Sequence, residues 1–157
     1  MVERLAALLR AALDATGHGT VSLGRELEIV GDYLEIERAR FGERLSYDLD
    51  VPPDARRCQV LPLAVQTLVE NSVKHAIAPS PKGGRLRVEA ATDDGRLTVG
   101  VWDDGPGFTM SAALPGHGLE NLQSRLAARF GGSAALSVVR RDGGTLVTLA
   151  LPRTAGE

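Results

Sequence analysis

The segment RLRVEAATDDGRLTVGVWDD, residues 85–104, constrains the fold more than any other part of the sequence. Two runs of alternating apolar and polar residues flank Asp94-Gly95, a dipeptide typical of two-residue β-hairpin turns. Strands that alternate in this way have one face against the core and one face in water. The sequence therefore predicts an antiparallel hairpin in a sheet covered on one face. Its core-facing residues are predicted to be Leu86, Val88, Ala90, Leu97, Val99, Val101 and Asp103.

Apolar residues at helical spacing predict four helices along the chain. The second has a clear start, since Ser22 is a good N-cap and Glu26 follows one turn later. The predicted helices cover residues 2–14, 23–41, 62–78 and 119–130, and further strands are predicted at residues 45–51, 135–140 and 145–151. This order predicts an α/β two-layer sandwich, in which helices cover one face of a mixed, mostly antiparallel sheet.

Composition excludes several classes of function. The chain has 157 residues, a length that suits one domain. Its net charge of −2 and lack of a basic block argue against nucleic acid as a partner. Its single cysteine, Cys58, excludes an internal disulfide and a cysteine zinc cluster. Because no apolar run approaches the roughly 18 residues of a membrane span, we expect a soluble, cytoplasmic chain without membrane contact.

The first segment that can carry chemistry is LVENSVKHAI, on the third predicted helix. Asn71 lies four residues after Thr67, and Lys74 and His75 follow three and four residues later, so helical geometry places all four on one stripe. An amide oxygen can bind Mg²⁺, and the two basic side chains can meet phosphate oxygens. The alternative is a polar helix edge with a Glu70–Lys74 surface pair.

The second segment is VWDDGPGF, at the end of a strand. Asp103 continues the apolar face of that strand, so its carboxylate points between the sheet and the helices, where it needs a hydrogen-bond donor. An exocyclic amine such as N6 of adenine supplies one, whereas a keto group does not. Gly105 and Gly107 let the backbone approach a ligand closely. The alternative is a tight turn or a calcium loop, although calcium wants more alternating oxygen ligands than this segment has.

The third segment is GHGLENLQSRL, in which Gly116 and Gly118 lead directly into a helix. A glycine loop at a helix N-terminus presents free N–H groups and the positive end of the helix dipole to phosphate. An ordinary joint between a loop and a helix has the same pattern.

In this order, the three segments resemble the N, G1 and G2 boxes of the GHKL ATPases, whose Bergerat fold is shared by gyrase, Hsp90, MutL and histidine kinases. Gly144-Thr145 before Leu151-Pro152 resembles the family's terminal glycine–threonine strand. LGRELEIVGDYLEIERARFGERLSYDLDVPPD and LPLAVQTLVENSVKHAI are similar to the matching parts of LytS-type sensor histidine kinases. The resemblance covers about Leu23 to Pro152.

The resemblance implies a role for each matching residue. Asn71 is expected to hold Mg²⁺ beside Glu70, and these two are the expected catalytic residues. Asp103 is expected to bind the adenine amine, with support from Thr145. The other residues expected to bind ATP are Lys74, His75, Gly105, Gly107, Gly116, Gly118, Leu119 and Asn121. Arg125 lies on the same helical face as Asn121 and is expected to line the lid with it.

The sequence departs from the family in three places. ATPase branches such as gyrase place a glutamate, the general base for water, where Thr67 stands, so we expect little hydrolysis by this chain alone. LytS-type kinases carry their phosphoacceptor in a Pro-His-Phe segment, which is absent here, and His18 is interpreted as a linker residue. His117 is expected to be exposed, and the lid TMSAALP is very short.

These observations favour the ATP-binding catalytic domain of a two-component sensor histidine kinase, which passes the γ-phosphoryl group to a histidine outside this chain. Residues 1–20 are predicted to end a dimerisation-domain helix with its linker, and residues 21–157 to form the catalytic domain. Expected partners are the histidine-bearing dimerisation domain, a response regulator and a second copy. If the parent protein is anchored to a membrane, the span is expected outside this chain. The alternatives are an anti-sigma-factor-type serine kinase, against which Thr67 argues, and a nucleotide-binding module without phosphotransfer.

Overall fold

The structure, a computed structural model, describes residues 19–107 and 118–154. The helix predicted at residues 2–14 and the loop glycine Gly116 lie outside these ranges, and the domain boundary at residue 20 stays a prediction. Within them, no helix is long and apolar enough to cross a membrane.

A five-stranded mixed sheet forms one layer of the molecule. Its strands are β2 (Leu45–Asp50), β4 (Gly84–Thr92), β5 (Arg96–Asp103), β6 (Ala135–Arg141) and β7 (Gly144–Pro152), in the spatial order β2-β4-β5-β7-β6. β2 runs parallel to β4, and the other neighbours are antiparallel. The predicted mixed, mostly antiparallel sheet is confirmed.

The hairpin predicted from the alternating pattern joins β4 and β5. Its register pairs Thr92 with Leu97 at the turn and Leu86 with Asp103 at the open end. In the turn, the Asp93 carboxylate accepts hydrogen bonds from the N–H groups of Gly95 (3.2 Å) and Arg96 (2.9 Å). This register places Asp103 at the sheet end where the strand leaves the core.

Four α-helices are described: α1 (Leu23–Phe41), α2 (Pro53–Arg56), α3 (Ala64–Ser72) and α4 (Gly118–Phe130). α1 begins as predicted, because the Ser22 hydroxyl accepts a hydrogen bond from the Arg25 N–H at 3.1 Å. The sequence did not predict α2. α3 contacts α1, α4 and β5, so the helix that carries the first candidate segment lies at the centre of the helical layer.

The core lies between the helices and one face of the sheet. Every core-facing residue predicted for the hairpin is buried except Ala90, which is partly buried. Strands β1 (Val21–Ser22) and β3 (Gln59–Val60), which were not predicted, form a separate antiparallel pair. This pair fixes the start of α1 beside the chain that leads into α3.

Glu26 has a role that the sequence did not reveal. It is fully buried, and instead of completing its own helix start it accepts hydrogen bonds from the N–H groups of Leu63 (2.8 Å) and Gln66 (3.4 Å). Leu63 has the left-handed φ of 63°, which is strained for a leucine. A carboxylate of α1 therefore caps the N-terminus of α3.

Candidate functional site

Asp103 is the buried acid at the centre of the candidate site. Its side chain points inward from the end of β5 and is 3% exposed. The neighbouring Asp104 points outward, and its carboxylate accepts a hydrogen bond from the Arg85 N–H at 3.0 Å. Of the two adjacent acids, Asp103 therefore faces the interior, as the alternating pattern predicted, and Asp104 holds the start of β4.

The environment of Asp103 favours a neutral ligand that donates a hydrogen bond. Burial raises the pKa of its carboxyl, while the Gly105 N–H and the Ser72 hydroxyl lower the pKa. Asp104 raises this pKa further, and Arg140 lowers it. The Gly105 N–H donates to Asp103 Oδ1 at 3.0 Å. The buried Ser72 oxygen has no hydrogen bond of good geometry within the described residues, so Ser72 is a polar neighbour of Asp103 and not a fixed donor.

Gly105 and Gly107 shape the loop after β5, where the backbone lies close to neighbouring side chains. A Cβ on Gly105 would lie 2.6 Å from the Ala76 Cβ. Gly107 has a φ of +90°, and its Cβ would lie 2.9 Å from Thr145 Oγ1. Both positions need glycine, since a side chain at either would displace a neighbour.

Thr145 lies beside Asp103 on the neighbouring strand. The register of β5 and β7 pairs the two residues directly, and Thr145 is 1% exposed. The structure thus brings together a carboxylate and a hydroxyl that are 42 positions apart in the sequence. The position fits the supporting role expected for Thr145.

Arg140, on β6, is a site residue that the sequence analysis missed. Its Nη1 donates to the Gly105 carbonyl oxygen at 2.8 Å and to Thr145 Oγ1 at 2.7 Å, and its Nη2 donates to the Gly143 carbonyl oxygen at 3.3 Å. The sequence offered one signal: Arg140 lies two residues after Val138 and therefore on the same, inward face of the strand. That position does not reveal where the end of a long side chain lies.

The helix α3 places Thr67 and Asn71 on one side, as predicted, but it changes its winding after Ser72. Residues Val73–Ile77 form a π-helical turn, in which the Ala78 N–H donates to the Val73 carbonyl oxygen at 2.8 Å. A π turn has more residues per turn than an α-helix. The predicted α-helix therefore ends at Ser72, and Lys74 and His75 lie on this wider turn, where both are exposed.

Asn71 is the only predicted metal ligand, and its surroundings fit that prediction. The residue is partly buried, and its Nδ2 has no hydrogen-bond partner within the described residues. Because Mg²⁺ binds oxygen, the atom that would hold it is the amide oxygen, Oδ1. Glu70 beside it accepts a hydrogen bond from Gln66 Nε2 at 3.2 Å. Mg²⁺ commonly uses one or two protein oxygens and completes its shell with phosphates and water.

The N-terminus of α4 meets α3 one turn before Asn71. A Cβ on Gly118 would lie 3.0 Å from the Thr67 methyl carbon. Leu119 is buried in the core, while Asn121 is exposed. Arg125, which was expected to share a helical face with Asn121, donates from Nη2 to the Pro62 carbonyl oxygen at 2.6 Å, near the start of α3.

The parts of the site come together along α3. Asp103 and Thr145 lie at the sheet end, Gly105 contacts the π turn, and the N-terminus of α4 contacts Thr67. A planar base with an exocyclic amine suits the buried carboxylate, and phosphate suits the helix N-terminus. Such a set suits a nucleotide between the sheet end and α3.

The comparison with family models agrees with this arrangement. Residues 59–155 match the model described as histidine kinase-, DNA gyrase B- and HSP90-like ATPase, so the chain belongs to that ATPase family. Residues 1–45 match a second model, described as histidine kinase. The predicted Bergerat fold is confirmed.

Among individual proteins, the chain is similar to two bacterial sensors. It is 31% identical to the sensor histidine kinase YesM of Bacillus subtilis (strain 168) over 97% of this chain and 27% of YesM. It is 32% identical to the sensor protein LytS of Staphylococcus haemolyticus (strain JCSC1435) over 97% of this chain and 28% of LytS. The chain thus spans about a quarter of the length of these relatives, and the predicted LytS-type resemblance is confirmed.

A solved structure shows the same fold. Histidine kinase ThkA, in its complex with the response regulator protein TrrA, aligns with a TM-score of 0.66 and 14% identity, over 98% of this chain and 48% of that chain.

Proposed function

We propose that this chain is the ATP-binding catalytic domain of a two-component sensor histidine kinase. It binds ATP with Mg²⁺ and passes the γ-phosphoryl group to a histidine of the dimerisation domain. The observation that carries the proposal is the pairing of buried Asp103 with Thr145 at the sheet end, next to the helix of Asn71. The similarity to YesM and LytS supports the choice of histidine as acceptor.

Adenine is the base that suits this pair. Its exocyclic amine donates to the Asp103 carboxylate, whereas the keto oxygen of guanine at the same place would meet the carboxylate without a proton between them. The loop of Gly105 and Gly107 brings the backbone close enough to enclose the ring. The N-terminus of α4, which begins at Gly118, then lies on the phosphate side of the site.

Asn71 would hold Mg²⁺, with Glu70 next to it, and the ion would neutralise charge on the phosphates of ATP. Lys74 and His75 are exposed on the π turn, where they can approach the same phosphates. In the described ranges, no three His, Cys, Asp or Glu residues form a cluster that could hold a metal. A single amide ligand suits an ion that arrives with the nucleotide.

Thr67 supports transfer to an imidazole rather than to water. Its hydroxyl donates to the Leu63 carbonyl oxygen of its own helix at 2.8 Å, and a hydroxyl does not replace a carboxylate as general base. A histidine acceptor is itself a nucleophile and needs no such base. The same residue argues against the anti-sigma-factor-type serine kinase, which usually has a glutamate at this position.

The proposed partners follow from the same assignment. They are the histidine-bearing dimerisation domain of the parent kinase, a second copy of the chain, and a response regulator. The complex of ThkA with TrrA supports the last of these. We place the domain in the cytoplasm, where ATP is available.

Calorimetric titration with Mg-ATP and Mg-GTP tests the binding step. The wild type should bind ATP in preference to GTP, and Asp103→Asn should weaken ATP binding roughly ten- to hundredfold, because a hydrogen bond to a charged group is lost. Asp32→Asn, an exposed site on α1 with the same change in charge, should leave binding unchanged. Failure of the wild type to bind ATP at millimolar concentration would refute the proposal.

Phosphotransfer needs a separate assay. The chain is mixed with the histidine-bearing domain of a LytS-type kinase and ATP labelled at the γ-phosphate. Acid-labile, base-stable label on that domain supports the kinase assignment. ATP binding without any label would favour the nucleotide-binding module that does not transfer phosphate.

A further inference from the structure

Arg140 contacts the candidate nucleotide site from the edge of the sheet. One guanidinium nitrogen, Nη1, donates both to the Gly105 carbonyl oxygen (2.8 Å) and to Thr145 Oγ1 (2.7 Å). The register pairs Arg140 with Thr145 across β6 and β7, and Thr145 with Asp103 across β7 and β5. The three side chains therefore form a row across three adjacent strands, with Thr145 in the middle.

The bond from Arg140 determines how the Thr145 hydroxyl can act. A hydroxyl has one proton to donate and two lone pairs that accept, whereas a guanidinium only donates. Thr145 must therefore accept from Arg140, and rotamers that direct its own proton toward the guanidinium are excluded. Among the described residues, Arg140 is the one hydrogen-bond partner of the Thr145 hydroxyl, so its proton is available for a ligand that lies beside Asp103.

Asp103 completes a polar edge of fixed direction. An ionised carboxylate only accepts hydrogen bonds, so the site presents an acceptor at Asp103 beside a donor at Thr145. The Watson–Crick edge of adenine has the opposite order, since the N6 amine donates and the adjacent N1 accepts. Guanine and hypoxanthine reverse it, with a keto oxygen at position 6 and an N1–H that donates.

We propose that Arg140 is a specificity-determining residue, which fixes the Thr145 hydroxyl as a donor and thereby selects adenine over 6-keto purines. This inference rests on the proposed function, because it refines the base recognition of the same site. Arg140 itself does not touch the base. It is a positioning residue that acts through Thr145, and its bond to the Gly105 carbonyl oxygen holds the loop beside the same edge.

Selectivity between ATP and inosine triphosphate measures this effect. Inosine triphosphate has the reversed edge but lacks the 2-amino group of guanine, so the comparison isolates hydrogen-bond direction from bulk. Arg140→Gln should lower the ratio of ATP to inosine triphosphate affinity about tenfold, the effect of one misdirected hydrogen bond. Arg140→Lys, which still only donates, should keep the ratio. Arg96→Gln, an exposed arginine with the same change in charge, should change nothing.

A double-mutant cycle separates positioning from a general structural role. Thr145→Val should lower the ratio by itself, and adding Arg140→Gln to Thr145→Val should lower it no further. An unchanged ratio in Thr145→Val, or a further loss in the double variant, would overturn the inference even if Arg140→Gln alone failed to fold. If ATP binding depends on Asp103 but Arg140→Gln leaves the ratio of ATP to inosine triphosphate affinity unchanged, the inference about Arg140 is overturned and the proposed function stands. If the wild type binds no nucleotide, the proposed function itself is refuted, and the inference that rests on it fails as well.

Discussion

Replacing Glu26 with glutamine should change how the stability of the domain depends on pH. The carboxyl group is fully buried at the N-terminus of α3, and its pKa is raised from 4.5 to about 7. Burial causes this rise, and the N–H groups of Leu63 and Gln66 together with the charge of Arg125 partly oppose it. The ionised form of Glu26 therefore makes the folded state less stable than the neutral form does.

The magnitude follows from the two pKa values. Between 4.5 and about 7 the folded protein binds more protons than the unfolded chain, so its free energy of unfolding falls as the pH rises through this window. The contribution of Glu26 is fully present below pH 4.5 and is lost above pH 7. The full loss is roughly 3 kcal/mol, and about 2 kcal/mol of it falls between about pH 5.5 and about pH 8.

Glutamine has nearly the same shape but does not ionise. Its amide oxygen still accepts from the Leu63 N–H, but its NH₂ group faces the Gln66 N–H, which costs about 1 kcal/mol. Glu26→Gln should therefore be more stable than the wild type by about 2 kcal/mol at about pH 8, and the advantage should vanish near pH 5.5. Urea unfolding of both proteins across this pH range measures the difference between their free energies of unfolding. The contributions of the other titrating groups are the same in both proteins and cancel in this difference.

Glu28→Gln is the matched control. It makes the same change on the same helix, but its side chain is 67% exposed and pairs with Arg25 at the surface. We expect a change within about 0.5 kcal/mol at every pH. If the difference between wild type and Glu26→Gln were the same at both ends of the range, the raised pKa of Glu26 would be refuted.

Two glycines at the site give further predictions. Gly144→Ala should destabilise the domain by about 2 kcal/mol, since the new Cβ would lie 2.0 Å from the Asp103 carbonyl oxygen; a melting temperature equal to that of the wild type would contradict this. Gly105→Ala should weaken ATP binding about tenfold, because contact with Ala76 at 2.6 Å forces the loop off the π turn. Gly95→Ala, where the new Cβ has nothing within 4 Å, serves as its control in the calorimetric titration, and equal affinities would refute the loop argument.

The sequence predicted the features that depend on local pattern. The hairpin, the start of α1 at Ser22 and the inward direction of Asp103 all follow from alternation, helical spacing and turn chemistry. Each needs only residues that are near one another in the chain. The inward pointing of Asp103 in particular followed from counting along one strand.

Features that depend on contacts between distant segments were not predicted. Glu26 looked like part of its own helix start, but it caps a helix 37 positions later. Arg140 reaches Gly105 from 35 positions away, and no local pattern reveals where its guanidinium ends. The π turn after Ser72 was not predicted either; its Ala76 lies against Gly105, a contact between distant segments that no local pattern reveals.

The cap that α1 provides for α3 also defines the smallest piece of this chain that can be moved between proteins. The ATPase family model begins at residue 59, yet Glu26 holds the start of α3, and β1 pairs with β3. A chimera joined at residue 59 would leave the strained turn at Leu63 without its carboxylate. Grafting the nucleotide site onto another sensor therefore requires a junction before residue 21, so that α1 travels with the helix it caps.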